Sequence, residues 1–261
     1  MATAPNQQTA QIINMTPALR PARIVSVYNE KGGAGKTTLA CQLAGTLGER
    51  GYQVLVGDLD PQRTASRWLA VQGGENFKGS LWDGSIYKGM IKGELNKLRD
   101  LYDLIVLDCP PSVNMESTSQ ALLLSDLALI PTKLNSTDTD ALAAAKLLAK
   151  RAKDQLELAG FNLVVRVVPV AARMHLKDHQ AAVRRLLADE RFPLLQTTGK
   201  SPQPCLLADR TAYSRSMLVG GTVSSLQNAR DAEAEVATLT DAVLGLLKLP
   251  KRIQAAEEHA L

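Results

Sequence analysis

The sequence predicts an α/β fold: one domain built on a mainly parallel, twisted sheet with helices on both faces. Three observations carry this. Short apolar runs of strand length alternate with longer helical stretches. Runs such as Leu104-Ile105-Val106-Leu107 have no polar alternation, which marks strands buried on both faces. The length of 261 residues fits one large α/β domain better than two ordinary ones.

Taken in order, residues 23–28 read as the first strand and 37–50 as a helix closed by Gly51. Residues 52–58 form the second strand, and a helix starting near Gln62 carries Trp68 and Leu69. The Gly-rich, polar stretch 73–89 reads as loop with at most short elements. Residues 104–108, 127–131 and 163–168 are three further strands, and long helices are expected at 138–158, 176–187 and 229–247. Residues 1–21 read as a flexible N-terminal tail, 22–248 as the folded domain and 249–261 as a polar C-terminal tail.

Hydrophobic residues make up 45% of the chain, enough for a full core, whereas aromatics at 4% supply little base-stacking surface for single-stranded nucleic acid. A formal net charge of +4 permits polyanion binding without requiring it. Cys41, Cys109 and Cys205 are odd in number and far apart, so free buried thiols are expected rather than a disulfide framework or a zinc site.

The strongest chemical signal is Lys31-Gly32-Gly33-Ala34-Gly35-Lys36-Thr37-Thr38, between the first strand and the first helix. Glycine lets the backbone approach an anion closely while several N–H groups converge on it. The following helix adds the positive end of its dipole. Lys36 supplies a point charge for β- and γ-phosphates, and Thr37 a hydroxyl for Mg²⁺. The first glycine of the general G-x-x-x-x-G-K-[ST] pattern is missing, its place falling near Glu30, so the loop is of the deviant form. A single-domain P-loop NTPase fold is the specific expectation. A Gly-rich turn with an accidental lysine is the bland alternative, and the strand before and helix after argue against it.

Two acidic segments follow. Asp108, in Leu107-Asp108-Cys109-Pro110-Pro111-Ser112, ends a buried strand where an unpaired carboxylate is costly and a magnesium-bound water offers it a partner. In Asp58-Leu59-Asp60-Pro61-Gln62 the carboxylate pair either serves the phosphate site or caps the next helix.

Together the three segments resemble the ParA family of partition ATPases, over about residues 22 to 248. The loop alone would also admit MinD-like, arsenite-pump, nitrogenase-iron-protein and dethiobiotin-synthetase-like chains. The resemblance implies ATP and Mg²⁺ as ligands and an ATP-sandwich homodimer. By position it makes Lys31 the signature lysine that reaches the partner subunit's ATP, and Asp60 the residue that positions the attacking water. Lys31, Lys36 and Asp60 are then the catalytic set. Gly32, Gly33, Ala34, Gly35 and Thr38 join Lys31, Lys36 and Thr37 in holding nucleotide, and Thr37, Asp58 and Asp108 serve the metal. It further implies non-specific double-stranded DNA as a matrix, and a ParB-like or centromere-binding protein or cargo adaptor that stimulates slow hydrolysis. Arg191 and Arg230 match the family's DNA-contacting positions, with Arg184, Arg185, Lys248, Lys251 and Arg252 extending the basic surface. The family's adenine-reading segments match poorly: Pro169-Val170-Ala171-Ala172-Arg173 lacks an Asn, and Leu206-Leu207-Ala208-Asp209-Arg210 stands for a Pro-Arg loop.

With only about 22 residues before the first strand, the chain resembles the short type, without an N-terminal helix-turn-helix. Its cysteines cannot supply a nitrogenase-type cluster. The segment around Leu246-Leu247-Lys248-Leu249-Pro250 is a poor interfacial anchor, because Pro250 interrupts it and no Trp or Phe is present. No membrane partner is expected, and the location expected is cytoplasmic and nucleoid-associated. Positioning of a protein cargo, such as carboxysomes or chemotaxis arrays, is the alternative within this mechanism, and a MinD-like membrane regulator is another. A dethiobiotin-synthetase-like enzyme is the alternative of a different class, and the Asp58–Gln62 segment argues against it.

Overall fold

The structure, a computed structural model, describes residues 21–111, 116–135 and 138–250. Six parallel strands form one sheet in the order β3-β2-β4-β1-β5-β6: β1 Arg23–Val27, β2 Val54–Asp58, β3 Ser80–Asp83, β4 Leu104–Asp108, β5 Leu127–Lys133 and β6 Val164–Val170. The helices are α1 Lys36–Glu49, α2 Thr64–Leu69, α3 Ile91–Leu98, α4 Glu116–Leu124, α5 Thr139–Leu158, α6 Lys177–Leu187, α7 Thr211–Leu218 and α8 Arg230–Leu247.

Alternation within strands builds two cores. Val25, Val27, Leu104 and Val106 face one layer with Leu39, Leu43 and Leu47 of α1 and Val236, Leu239 and Val243 of α8. Ile24, Ile105, Leu107 and Ile130 face the other layer, with Ile91 and Leu95 of α3, Ala145 and Ala149 of α5 and Val183 of α6. Both faces of the sheet are therefore covered, as continuous apolar strands require.

The expected strands and long helices are present, with ends shifted by a few residues. β5 runs through Pro131 to Lys133. The missing N–H is tolerated because β1 pairs with β5 only as far as Leu129, leaving that side of Pro131 outside the ladder. Within 73–89 lie a 3₁₀ turn at Ser85–Tyr87 and β3, which pairs with β2 and extends the sheet. Trp82 beside Gly57 explains part of its place: a Cβ on Gly57 would stand 3.1 Å from the indole Cε3. Helices α3, α4 and α7 are additional to those expected from the sequence. The three cysteines are free and buried. Leu249 packs on the α1–α8 core, and Tyr52 Oη donates to the Pro250 carbonyl. Among the described residues no helix is long and apolar enough to cross a membrane.

Candidate nucleotide site

The site lies at the carboxyl ends of the central strands. β4 stands between β1 and β2, and the register places Val27, Asp108 and Asp58 side by side at the strand ends. Ligands of open α/β sheets bind outside such strand ends. The loop leaving β1 arches over this point and feeds α1.

Glycine is needed at two places in the loop. Gly33 has φ 70° and Gly35, the residue before α1, has φ 87°. Gly35 also packs on β6, where a Cβ would come within 3.1 Å of Val170 Cγ2. Gly32 and Gly33 face open space instead: a Cβ on either meets nothing within 4 Å. Among the described residues no side chain caps the start of α1. Its first-turn N–H groups and dipole are thus directed at the loop.

Charge is gathered tightly. Lys36 is buried, and its Nζ donates to the Lys31 carbonyl at 3.1 Å. Burial lowers its pKa, while Asp108 and Asp60 nearby pull it back up. Thr37 Oγ1 donates to Asp108 Oδ2 at 2.7 Å, and Asp108 Oδ1 is buried with no hydrogen-bond partner among the described residues. Burial raises the Asp108 pKa to about 7, against the Thr37 bond and with help from Asp58.

Asp58 is turned toward its own segment. Its Oδ2 accepts from the Ser66 N–H and Oγ, both at 2.8 Å, and its Oδ1 accepts from the Asp60 N–H at 3.1 Å. It therefore ties α2 to the end of β2, the helix-anchoring use that its position allowed. Burial raises its pKa and the Ser66 bonds oppose this. Asp60 is 8% exposed and its Oδ1 accepts from the Gln62 N–H at 2.9 Å, closing a tight turn.

Lys31 reaches away from the loop: its Nζ stands 2.9 Å from Oδ1 of Asp138, which is 3% exposed just ahead of α5. Asn29 fixes the loop entrance, donating to the Pro131 carbonyl at 2.7 Å and accepting from the Lys31 N–H at 3.1 Å. Asn29, Ser66 and Asp138 are the participants that motif reading passed over. Asn29 lies next to the motif, but Ser66 and Asp138 carry no pattern of their own and are brought in only by tertiary packing.

The orphaned Asp108 oxygen, the Thr37 hydroxyl and the open glycine cradle fit a phosphate-bound cation. Among the described residues no three His, Cys, Asp or Glu side chains gather around a metal. A cation here would lean on phosphates and water, as Mg²⁺ does.

The two segments expected near the base come together. The Ala172 N–H donates to the Leu207 carbonyl, the Asp209 N–H donates to the Ala172 carbonyl, and Arg173 pairs with Asp209 at 2.6 Å. The basic candidates fall in separate places. Arg184 and Arg185 occupy the last turn of α6, and Arg191 follows that helix. Arg230 opens α8 and Lys248 ends it, so about 27 Å of helix separates them. α6 and α8 lie on opposite faces of the sheet. All five are exposed, and none has an ion pair among the described residues; Lys251 and Arg252 lie outside those residues.

Comparison with known proteins adds three kinds of likeness. The family model described as "CobQ/CobB/MinD/ParA nucleotide binding domain" matches residues 25–202. The chromosome partitioning protein ParA of Myxococcus xanthus is 29% identical over 147 residues, 42% of this chain and 51% of that protein. The maintenance of carboxysome distribution protein A of Gloeobacter kilaueensis is 34% identical over 120 residues, 45% of this chain and 52% of that protein. The chain thus spans about half the length of the curated relatives it matches. Among solved structures, apo McdA of Cyanothece superposes with a TM-score of 0.69 at 18% identity, covering 85% of this chain and 99% of that one.

Proposed function

This chain belongs to the CobQ/CobB/MinD/ParA nucleotide-binding domain family, and from that premise we propose that it is an ATP-driven dimerisation switch. In this reading ATP and Mg²⁺ bind at the loop 31–38, two subunits close over the nucleotides, and the dimer holds non-specific double-stranded DNA. A ParB-like protein, centromere-binding protein or cargo adaptor then stimulates hydrolysis and release. The switch partitions or positions plasmid or chromosome DNA, in a cytoplasmic, nucleoid-associated location. The domain doing this spans 22–248.

The observation that carries the reading is Asp108: a buried carboxylate, bonded to Thr37 through one oxygen and without a hydrogen-bond partner among the described residues on the other, at the mouth of an open glycine loop. Bound there, Mg²⁺ would neutralise phosphate charge; Thr37 and Asp108 are the groups placed to hold it, with Asp58 behind them. Lys36 holds the phosphates, Asp60 orients the attacking water, and Lys31 acts in trans. The exposed cations on α6, after it and at both ends of α8 supply phosphate contacts for DNA.

A second reading, positioning of a protein cargo by the same cycle, is favoured by the relatives named for carboxysome distribution. Light scattering with MgATP, MgADP and no nucleotide tests the switch, with Lys36→Ala as control. A dimer with ATP alone, lost in the variant, supports it; the same mass in every state contradicts it.

A further inference from the structure

The metal-holding groups Thr37 and Asp108 meet on the β4 side of β1. A triphosphate held there leaves the other side of β1, toward β5 and β6, for the nucleoside. β6 ends beside the phosphate loop, since a Cβ on Gly35 would come within 3.1 Å of Val170 Cγ2. The segment that leaves β6 after Val170 therefore starts next to the loop, and the way it is held decides what a nucleoside meets.

That segment is built under strain. Ala171 has φ 49°, a left-handed conformation that a residue with a Cβ keeps only when its surroundings enforce it. Three contacts do so. The Ala172 N–H and carbonyl bond to Leu207 and Asp209, each at 3.0 Å. Arg173 pairs with Asp209, but both side chains are exposed, and such pairs contribute little. The third contact comes from the first turn of α6: His179, only 9% exposed, folds back so that its Nδ1 accepts the Arg173 N–H at 3.0 Å. A ring nitrogen that accepts carries no proton, so the imidazole is neutral with its proton on Nε2. One buried side chain thus clamps the strained segment to a helix.

We propose that His179 is a positioning residue for the nucleoside: through Nδ1 it fixes the 171–173 backbone, and residues 207–209 bonded to it, as one wall of the base pocket. The proposal rests on the nucleotide site above, and it names the side chain that sets the shape of that wall. His179 acts on the backbone alone and takes no part in holding phosphate or metal.

The test compares MgATP with inorganic magnesium tripolyphosphate, each measured by displacement of a fluorescent ATP analogue, alongside amide hydrogen exchange at Arg173 without nucleotide. His179→Asn keeps an acceptor in the Nδ1 place, whereas His179→Gln moves it to the Nε2 place. In His179→Gln the Arg173 amide is expected to lose protection. The MgATP dissociation constant of that variant is expected to rise about tenfold, the scale of one buried hydrogen bond, with tripolyphosphate affinity unchanged. His179→Asn is expected to restore both protection and ATP affinity. Equal losses for ATP and tripolyphosphate would reduce His179 to general support of the fold and overturn its positioning role. Parent-like ATP affinity in His179→Gln, or a His179→Asn chain as impaired as His179→Gln, would overturn it too and leave the nucleotide site standing. A parent chain that binds neither ligand would overturn both.

Discussion

Thr37 Oγ1 donates a 2.7 Å hydrogen bond to Asp108 Oδ2, joining the first turn of α1 to the end of β4. It uses one carboxylate oxygen and leaves the other buried with no hydrogen-bond partner among the described residues. Such an arrangement is poorly satisfied without a cation and well satisfied with one.

The first prediction concerns pH. The folded pKa of Asp108, about 7, lies above its ordinary value of 3.8. A carboxyl raised in the folded state contributes stability that is fully present below the unfolded pKa and is lost as pH rises through the folded one. Nucleotide-free protein is thus expected to lose stability between pH 4 and 7, by up to about 4 kcal/mol from this group. Thermal melts across that range check it. Asp108→Asn should flatten the slope; an unchanged slope in the variant contradicts the assignment.

The second concerns Lys31. Its ion pair with buried Asp138 predicts that Lys31→Ala lowers nucleotide-free stability by about 1–2 kcal/mol, less than a fully buried pair because Lys31 is partly exposed. Lys31→Ala combined with Asp138→Asn should recover that stability without recovering ATP turnover. Urea titration and a phosphate-release assay separate the two readouts. Full stability in Lys31→Ala would reduce it to a solvated surface lysine.

The third concerns Asp60. Its carboxylate closes a turn through Gln62 and contacts no part of the phosphate loop by hydrogen bond, so Asp60→Ala should spare nucleotide binding. Hydrolysis is expected to fall roughly a hundredfold, the scale of losing a water-orienting base, with the ATP dimer retained. Turnover at the parent rate would falsify the water-positioning role.

Much of this was legible beforehand, for identifiable reasons. The phosphate loop is a local backbone motif, and Lys36, Thr37 and the glycines do their work within eight residues. The central strands announce themselves because burial on both faces leaves no polar alternation. β3 is a short edge strand with intermediate and exposed positions, so no apolar run marks it. α4 begins with Glu-Ser-Thr-Ser-Gln, a polar stretch that acquires its burial from packing on α3, α5 and β1. Ser66 and Asp138 escaped because their partners, Asp58 and Lys31, are eight and 107 residues away.

ATP-gated, sequence-independent DNA binding is tested by fluorescence anisotropy on two unrelated duplexes across salt. Exposed cations are spread over both layers, so under the proposed switch one subunit would offer few contacts to any one duplex and a dimer would double them. With about six phosphate contacts per dimer, the log–log salt slope should be near −5, a loss of over a thousandfold between about 50 and 200 mM salt. Arg191→Ala or Arg230→Ala should weaken both duplexes alike and flatten the slope by about two, because each substitution occurs twice in the dimer. Tight binding with MgATP, weak binding with MgADP and equal affinity for the two duplexes are expected. Equal binding with ADP and ATP, a strong preference for one duplex, or no binding at low salt would contradict it.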